Sequence, residues 1–91
     1  MPERDTLEVD VLIVGAGEAG NLLAKEMRRL PTGYWPVGFI DDAPSKWGTT
    51  LNGVEVIGES SDLPAIARVE RADEIILAIP SASAARLRTL V

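Results

Sequence analysis

Three glycines in the run Gly15-Ala16-Gly17-Glu18-Ala19-Gly20, and an acidic pair at Asp41-Asp42, are the residues whose type and spacing point to chemistry. The glycines follow the apolar run Val11-Leu12-Ile13-Val14 and lead into Asn21-Leu22-Leu23-Ala24. In that setting Gly15 permits a tight turn, Gly17 lets the backbone approach a phosphate with no Cβ in between, and Gly20 lets a helix sit close to a strand. The product is an anion site at a helix N-terminus, where unpaired N–H groups and the positive end of the dipole face the ligand. Asp41 stands 21 positions beyond Gly20. At that distance a dinucleotide-binding fold places an acid at the tip of its second strand to receive ribose hydroxyls. Asp42 either shares that duty or shapes the turn before Pro44 as an Asx residue. An acid here favours NAD over NADP, although Lys46 stands where it could take a 2′-phosphate or simply be solvated. Glu18 sits within the cradle and must point to solvent if a diphosphate is to bind.

The chemistry implied is binding. The chain has no histidine and no cysteine, which removes imidazole bases, thiolate nucleophiles, disulfides and the usual zinc ligands together. Its carboxylates are scattered without metal-ligand spacing, so neither catalytic nor metal-binding residues are assigned. Nine Lys and Arg against fourteen Asp and Glu give a net charge of −5. That balance argues against nucleic acid as a partner, which would need a basic stripe.

The elements that must position these residues follow from periodicity. Residues 1–8 read as a polar lead-in and residues 9–91 as one domain. Val9 to Val14 is a strand, apolar without alternation and so covered on both faces. A helix from about Glu18 to Leu30 presents Ala19, Leu22, Leu23, Met27 and Leu30 as an apolar stripe, and Pro31 and Gly33 stop it. Tyr34 to Ile40 is a second strand that delivers Asp41. Trp47 to Thr50 reads as loop and Asn52-Gly53 as a turn before a short strand, Val54 to Ile57. No helical stripe separates the second strand from this one. A second helix covers about Asp62 to Val69, with Leu63, Ile66, Ala67 and Val69 on its buried side and Pro64 in its first turn. Glu74 to Ile79 is a further buried parallel strand, ended by Pro80. Pro80 and Ser81 then lie at the carboxyl end of that strand, where open α/β sheets bind ligands, although Ser81 and Ser83 also suit helix N-caps. A third helix opens there, and its pattern is still running at Val91, which predicts a piece of a longer protein. Trp35 and Trp47 are available to stack on an adenine or to contact a neighbouring domain or subunit.

These elements predict an α/β half-Rossmann: a three-layer α/β/α domain with a mainly parallel sheet of about four strands, ordered Val54-strand, Tyr34-strand, Val9-strand, Glu74-strand. With 91 residues, the chain hides only roughly 60–65% of the surface its unfolded form exposes. Its stability is expected to lean on a neighbouring domain or a second copy, so a homo-oligomer is compatible with it. Residues 1–6 hold no apolar signal region and no apolar run approaches the roughly 18 residues a spanning helix needs, which predicts a cytoplasmic domain.

Four strings, VLIVGAGEAG, VGFIDDAPSKWG, LNGVEVIG and DEIILAIPSAS, together resemble the nucleotide-binding domain that precedes the catalytic domain in CapD-type polysaccharide-biosynthesis proteins, the nucleotide-sugar 4,6-dehydratase and epimerase family. The likeness runs over residues 9–91. It implies a parent chain anchored in the inner membrane, with chemistry in a following domain that carries a Tyr-x-x-x-Lys pair. The one tyrosine here, Tyr34, has Gly38 four residues on, so the domain itself is expected to be catalytically silent. GFIDD is also similar to the N-terminal domain of bacterial sugar acyltransferases, where the half-fold holds a nucleotide sugar. The ligand is therefore expected to be NAD, NADP or another nucleotide, or a nucleotide sugar such as a UDP-sugar. A structural or dimerising module with an empty site is the alternative.

Overall fold

The computed structural model of the chain describes residues 8–29 and 32–78. Its centre is β1 (Val9–Val14), flanked on both sides by parallel strands, β2 (Tyr34–Ile40) and β5 (Glu74–Leu77). Beyond β2 lies β4 (Val54–Gly58), also parallel, and beyond it the two-residue β3 (Thr50–Leu51), antiparallel to β4. The order β3-β4-β2-β1-β5 contains the four predicted strands in their predicted order, with β3 added at one edge. Asn52 and Gly53 carry φ of 53° and 78°, the successive left-handed pair that a tight two-residue hairpin requires. The Asn-Gly signal was therefore a hairpin rather than an isolated turn. Thr50-Leu51 is too short to show a period of its own.

Pro36 sits opposite Val11, and the register of β1 against β2 shifts one step later, so that Leu12 faces Gly38. A proline cannot donate to the ladder, and an irregularity is the usual way a strand accommodates it. Past that point Ile13 pairs with Phe39 and Val14 with Ile40, which brings the ends of the two strands level.

Both faces of β1 are covered, as its unbroken apolar run requires. Val11, Ile13, Phe39, Val54 and Val56 pack on one face with Ala24 and Met27 of α1 (Glu18–Arg29). Leu12 and Ile57 lie on the other, both within reach of a Cβ added to Gly38. There α2 (Leu63–Val69) shares a groove with Ile57. This is the three-layer arrangement. Among the described residues, the stretch from β2 to β4 holds no α-helix, only a 3-10 turn at Pro44–Lys46 and the hairpin.

Expected burials are corrected in three elements. The sheet-facing stripe of α1 is Gly20, Ala24 and Met27 with Leu23 at its flank, whereas Ala19 is exposed and Leu22 is 58% exposed. Gly20 fixes this phase, since at 100° per residue positions 23, 24 and 27 fall on its side and position 22 falls opposite. In α2, Leu63, Ile66 and Ala67 are half-buried but Val69 is 77% exposed, because it lies about 120° around the helix from Leu63. In β5, Glu74 and Ile75 are exposed and only Ile76 packs on the core. Among the described residues this strand has β1 as its single neighbour. Leu30, Pro31, the end of the predicted strand at Ile79, and the predicted third helix lie outside the described residues. Among the described residues no helix is long and apolar enough to cross a membrane.

Candidate binding site at the glycine loop

The turn from β1 into α1 is built from the glycines upward. Gly15 has φ of 109°, a conformation that side chains rarely adopt. Its N–H donates to the carbonyl of Ile40 at 2.7 Å, which ties the loop to the tip of β2. A Cβ at Gly20 would stand 1.8 Å from the carbonyl oxygen of Gly15, so the close approach of helix to strand exists only with glycine there. At Gly17 an added Cβ meets nothing within 4 Å. The fold does not need this glycine, and the space beside it is open.

The first helical hydrogen bond of the turn runs from Asn21 N–H to the carbonyl of Gly17 at 2.9 Å. The N–H groups ahead of it, from Gly17 to Gly20, have no carbonyl one turn back to accept them. They gather at the positive end of the α1 dipole.

Asp41, at the end of β2, meets this loop directly. Its Oδ2 accepts the N–H of Ala16 at 2.8 Å and its Oδ1 the N–H of Ala43 at 2.9 Å. Lys46 Nζ lies 3.6 Å from Oδ2, and Trp47 Nε1 donates to the Asp41 carbonyl at 2.7 Å. Burial pushes the Asp41 carboxyl up, but the Ala43 and Ala16 N–H groups and the Lys46 ammonium outweigh it and hold the group below its ordinary value. The carboxylate is thus fixed and charged. It is also the Asx-turn residue, a role the sequence reading gave to Asp42.

Asp42 turns the other way. Its Oδ1 accepts Ser60 N–H at 2.7 Å and its Oδ2 the Ser60 hydroxyl at 2.9 Å, joining the β2 tip to the turn before α2.

An open cleft of about 590 Å³ lies over the loop, within the size range of small-molecule sites. It is lined by Gly15, Gly17, Glu18, Ala19 and Leu22 at the start of α1, and by Asp41, Lys46 and Ala78. Of the residues picked out by sequence, the fold brings Gly15, Gly17, Glu18, Ala19 and Asp41 to one cleft. Gly20 is buried beneath it, Asp42 is bound to Ser60, and Pro80 and Ser81 lie outside the described residues. Glu18 and Ala19 are both exposed. Sequence reasoning missed Leu22, assigned to the core, and read Lys46 as mainly solvated. The phase imposed by Gly20 would have placed Leu22 on the outer face. Among the described residues no group of three or more His, Cys, Asp or Glu is placed to hold a metal ion.

A family model described as a CoA-binding domain matches residues 3–91. Among curated proteins the chain is 37% identical over 81 residues to the capsular polysaccharide biosynthesis protein CapD of Staphylococcus aureus. It is 36% identical over 81 residues to the probable polysaccharide biosynthesis protein EpsC of Bacillus subtilis. Each match covers 87% of this chain but only 14% and 13% of those proteins, so the chain spans about one seventh of their length. Among solved structures, UDP-D-quinovosamine 4-dehydrogenase from Vibrio fischeri superposes with a TM-score of 0.75 at 31% identity, over 91% of this chain and 70% of that one. RSP, a Rex-family repressor, in complex with β-NAD+ and operator DNA superposes with a TM-score of 0.69 at 26% identity, over 90% of this chain and 39% of that one.

Proposed function

The chain belongs to the CoA-binding domain family, a Rossmann-like nucleotide-binding group with relatives in polysaccharide biosynthesis, and from this we propose that its glycine-loop cleft holds an NAD-type dinucleotide as an accessory module of a nucleotide-sugar enzyme. The observation that carries the proposal is the joining of loop and acid through the bond from Ala16 N–H to Asp41 Oδ2. It supports the reading by tying the glycine loop to the acid at the tip of β2.

In this reading the diphosphate lies over Gly17, with the N–H groups of Glu18, Ala19 and Gly20 as donors and the dipole of the twelve-residue α1 behind them. A diphosphate has no need of a protein cation where several N–H groups converge. Asp41 receives the ribose hydroxyls. Two N–H bonds and a lysine do not exhaust a carboxylate with about four acceptor directions, so the fixed acid still has room for a diol. Glu18 keeps its carboxylate at the exposed rim, where the helix dipole stabilises an acid.

The chain itself carries no general base, nucleophile or metal set in this reading; it binds and presents, and the reaction belongs to another domain of the parent protein. Its ligand is small, its macromolecular partner is that domain, and its acidic charge keeps nucleic acid away. The domain works in the cytoplasm even where the parent is held at the inner membrane.

A second reading is favoured by the likeness to UDP-D-quinovosamine 4-dehydrogenase. In this second reading the cradle of the present chain takes the diphosphate of a UDP-sugar, and Asp41 the uridine ribose. Calorimetric titration of the chain with NAD, NADP, coenzyme A and a UDP-sugar separates the readings. NAD binding supports the first, binding of the UDP-sugar without NAD replaces it with the second, and no heat from any of the four leaves a structural module.

A further inference from the structure

Among the described residues that line the cleft, Lys46 supplies the single positive charge, against the carboxylates of Asp41 and Glu18. Its backbone is held: Lys46 N–H donates to Ala43 and its carbonyl accepts from Thr49 N–H, each at 3.0 Å, and from the Thr49 hydroxyl. The side chain is held by its ion pair with Asp41. At 3.6 Å its ammonium is beyond hydrogen-bond length from Asp41, and it is 41% exposed where Asp41 is 16% exposed. A fixed anion therefore stands beside a more exposed cation that is bound to it by charge rather than by a hydrogen bond. The anion is pinned by two amides that do not depend on the lysine.

This asymmetry bears on what the ribose can carry. A phosphate on the ribose ring brings nearly two negative charges towards a carboxylate that stays ionised. Alone, Asp41 would repel it. With Lys46 beside it the end of the cleft is close to neutral, and the lysine can swing from carboxylate to phosphate without loosening the loop. Building on the nucleotide reading above, we propose that Lys46 is the specificity-determining residue of the ribose end, and that the Asp41–Lys46 pair admits nucleotides bearing a ribose phosphomonoester alongside those with a free diol.

Two ligand pairs that differ by one ribose phosphate test this: NADP against NAD for the 2′ position, and coenzyme A against dephospho-coenzyme A for the 3′ position. Dissociation constants are measured by calorimetry at fixed ionic strength for the wild-type chain, Lys46→Ala and Lys46→Arg, with circular dichroism to verify folding. In the wild type the phosphorylated member of at least one pair binds within about tenfold of its partner. Lys46→Ala lowers its relative affinity at least tenfold, and Lys46→Arg restores it. The pair that responds identifies the position read. Wild-type rejection of both phosphorylated ligands, or affinity ratios in Lys46→Ala within threefold of wild type, overturns the proposal and leaves the nucleotide reading intact. Absence of binding by all four ligands removes the nucleotide reading and the proposal with it.

Discussion

The carboxylate of Asp41 accepts the N–H of Ala16 at 2.8 Å across a sequence separation of 25 residues. One side chain therefore links the tip of β2 to the turn that opens α1. It belongs to the scaffold and, in the proposed function, to the ligand site as well.

That double role predicts two losses from one substitution. Asp41→Ala leaves the N–H groups of Ala16 and Ala43 without their acceptor in a part-buried setting, which costs about 1–3 kcal/mol. Denaturant unfolding should show this as a lower midpoint at unchanged slope. Affinity for a diol-bearing nucleotide should fall at least about tenfold, the order expected for removing a charged hydrogen-bond partner.

Asp42 provides the contrast. Both its carboxylate oxygens are engaged by Ser60, and it does not line the cleft. Asp42→Ala should cost about 0.5–2 kcal/mol, as the loss of a side-chain cap does, while the Kd for nucleotide changes less than about twofold. A tenfold loss of binding in this variant, with the fold intact, would place Asp42 on the ligand after all.

How far the sequence discloses these roles depends on where the information is local. The glycine loop was legible because Gly15 and Gly20 answer backbone requirements within six residues, and Asp41 because a strand of fixed rise separates it from the loop. The four parallel strands were legible from apolar runs. The assignment of the turn between Asp41 and Asp42 was not, since adjacent identical side chains differ only in what the distant Ala16 and Ser60 offer them. Leu22 illustrates a different limit. An apolar residue at helical spacing reads as core, and only the contact of Gly20 with Gly15 sets the rotation that turns it to the cleft. The exposure of Ile75 was invisible for a third reason: an apolar run does not say which strand, among the described residues, has a neighbour on one side only.

The lowered Asp41 carboxyl fixes the sign of a pH effect. The folded protein binds this proton less readily than the unfolded chain, so acid favours the unfolded state. The stabilisation is fully present above the ordinary aspartate value of about 3.9 and is lost as pH falls through the lower folded value. From pH 5 to 8 this group contributes no slope. Chemical denaturation of wild type and Asp41→Asn over pH 2–6 checks it: the stability difference between them should shrink as pH drops below about 4, and a difference that grew in acid would reverse the sign.

Gly17 and Gly20 belong to one motif but should fail in opposite ways. At Gly17 the structure offers an added Cβ open space and a φ that other residues adopt. Gly17→Val should thus fold, with a cost of about 1 kcal/mol or less from the altered helix start, yet lose nucleotide binding, because the branched side chain occupies the cleft where phosphate must approach the N–H groups. At Gly20 an added methyl would overlap the Gly15 carbonyl oxygen at 1.8 Å and press on its carbon at 3.0 Å. Both are backbone atoms of a turn already fixed by the bond to Ile40, so α1 must move off the sheet. Gly20→Ala should lower stability by about 1–3 kcal/mol or more, read as a fall in Tm. Binding measured well below that Tm should weaken only as far as the helix end is displaced. If Gly17→Val bound nucleotide as wild type does, the phosphate would not lie over this loop. If Gly20→Ala kept its Tm, the helix would not be held against the turn.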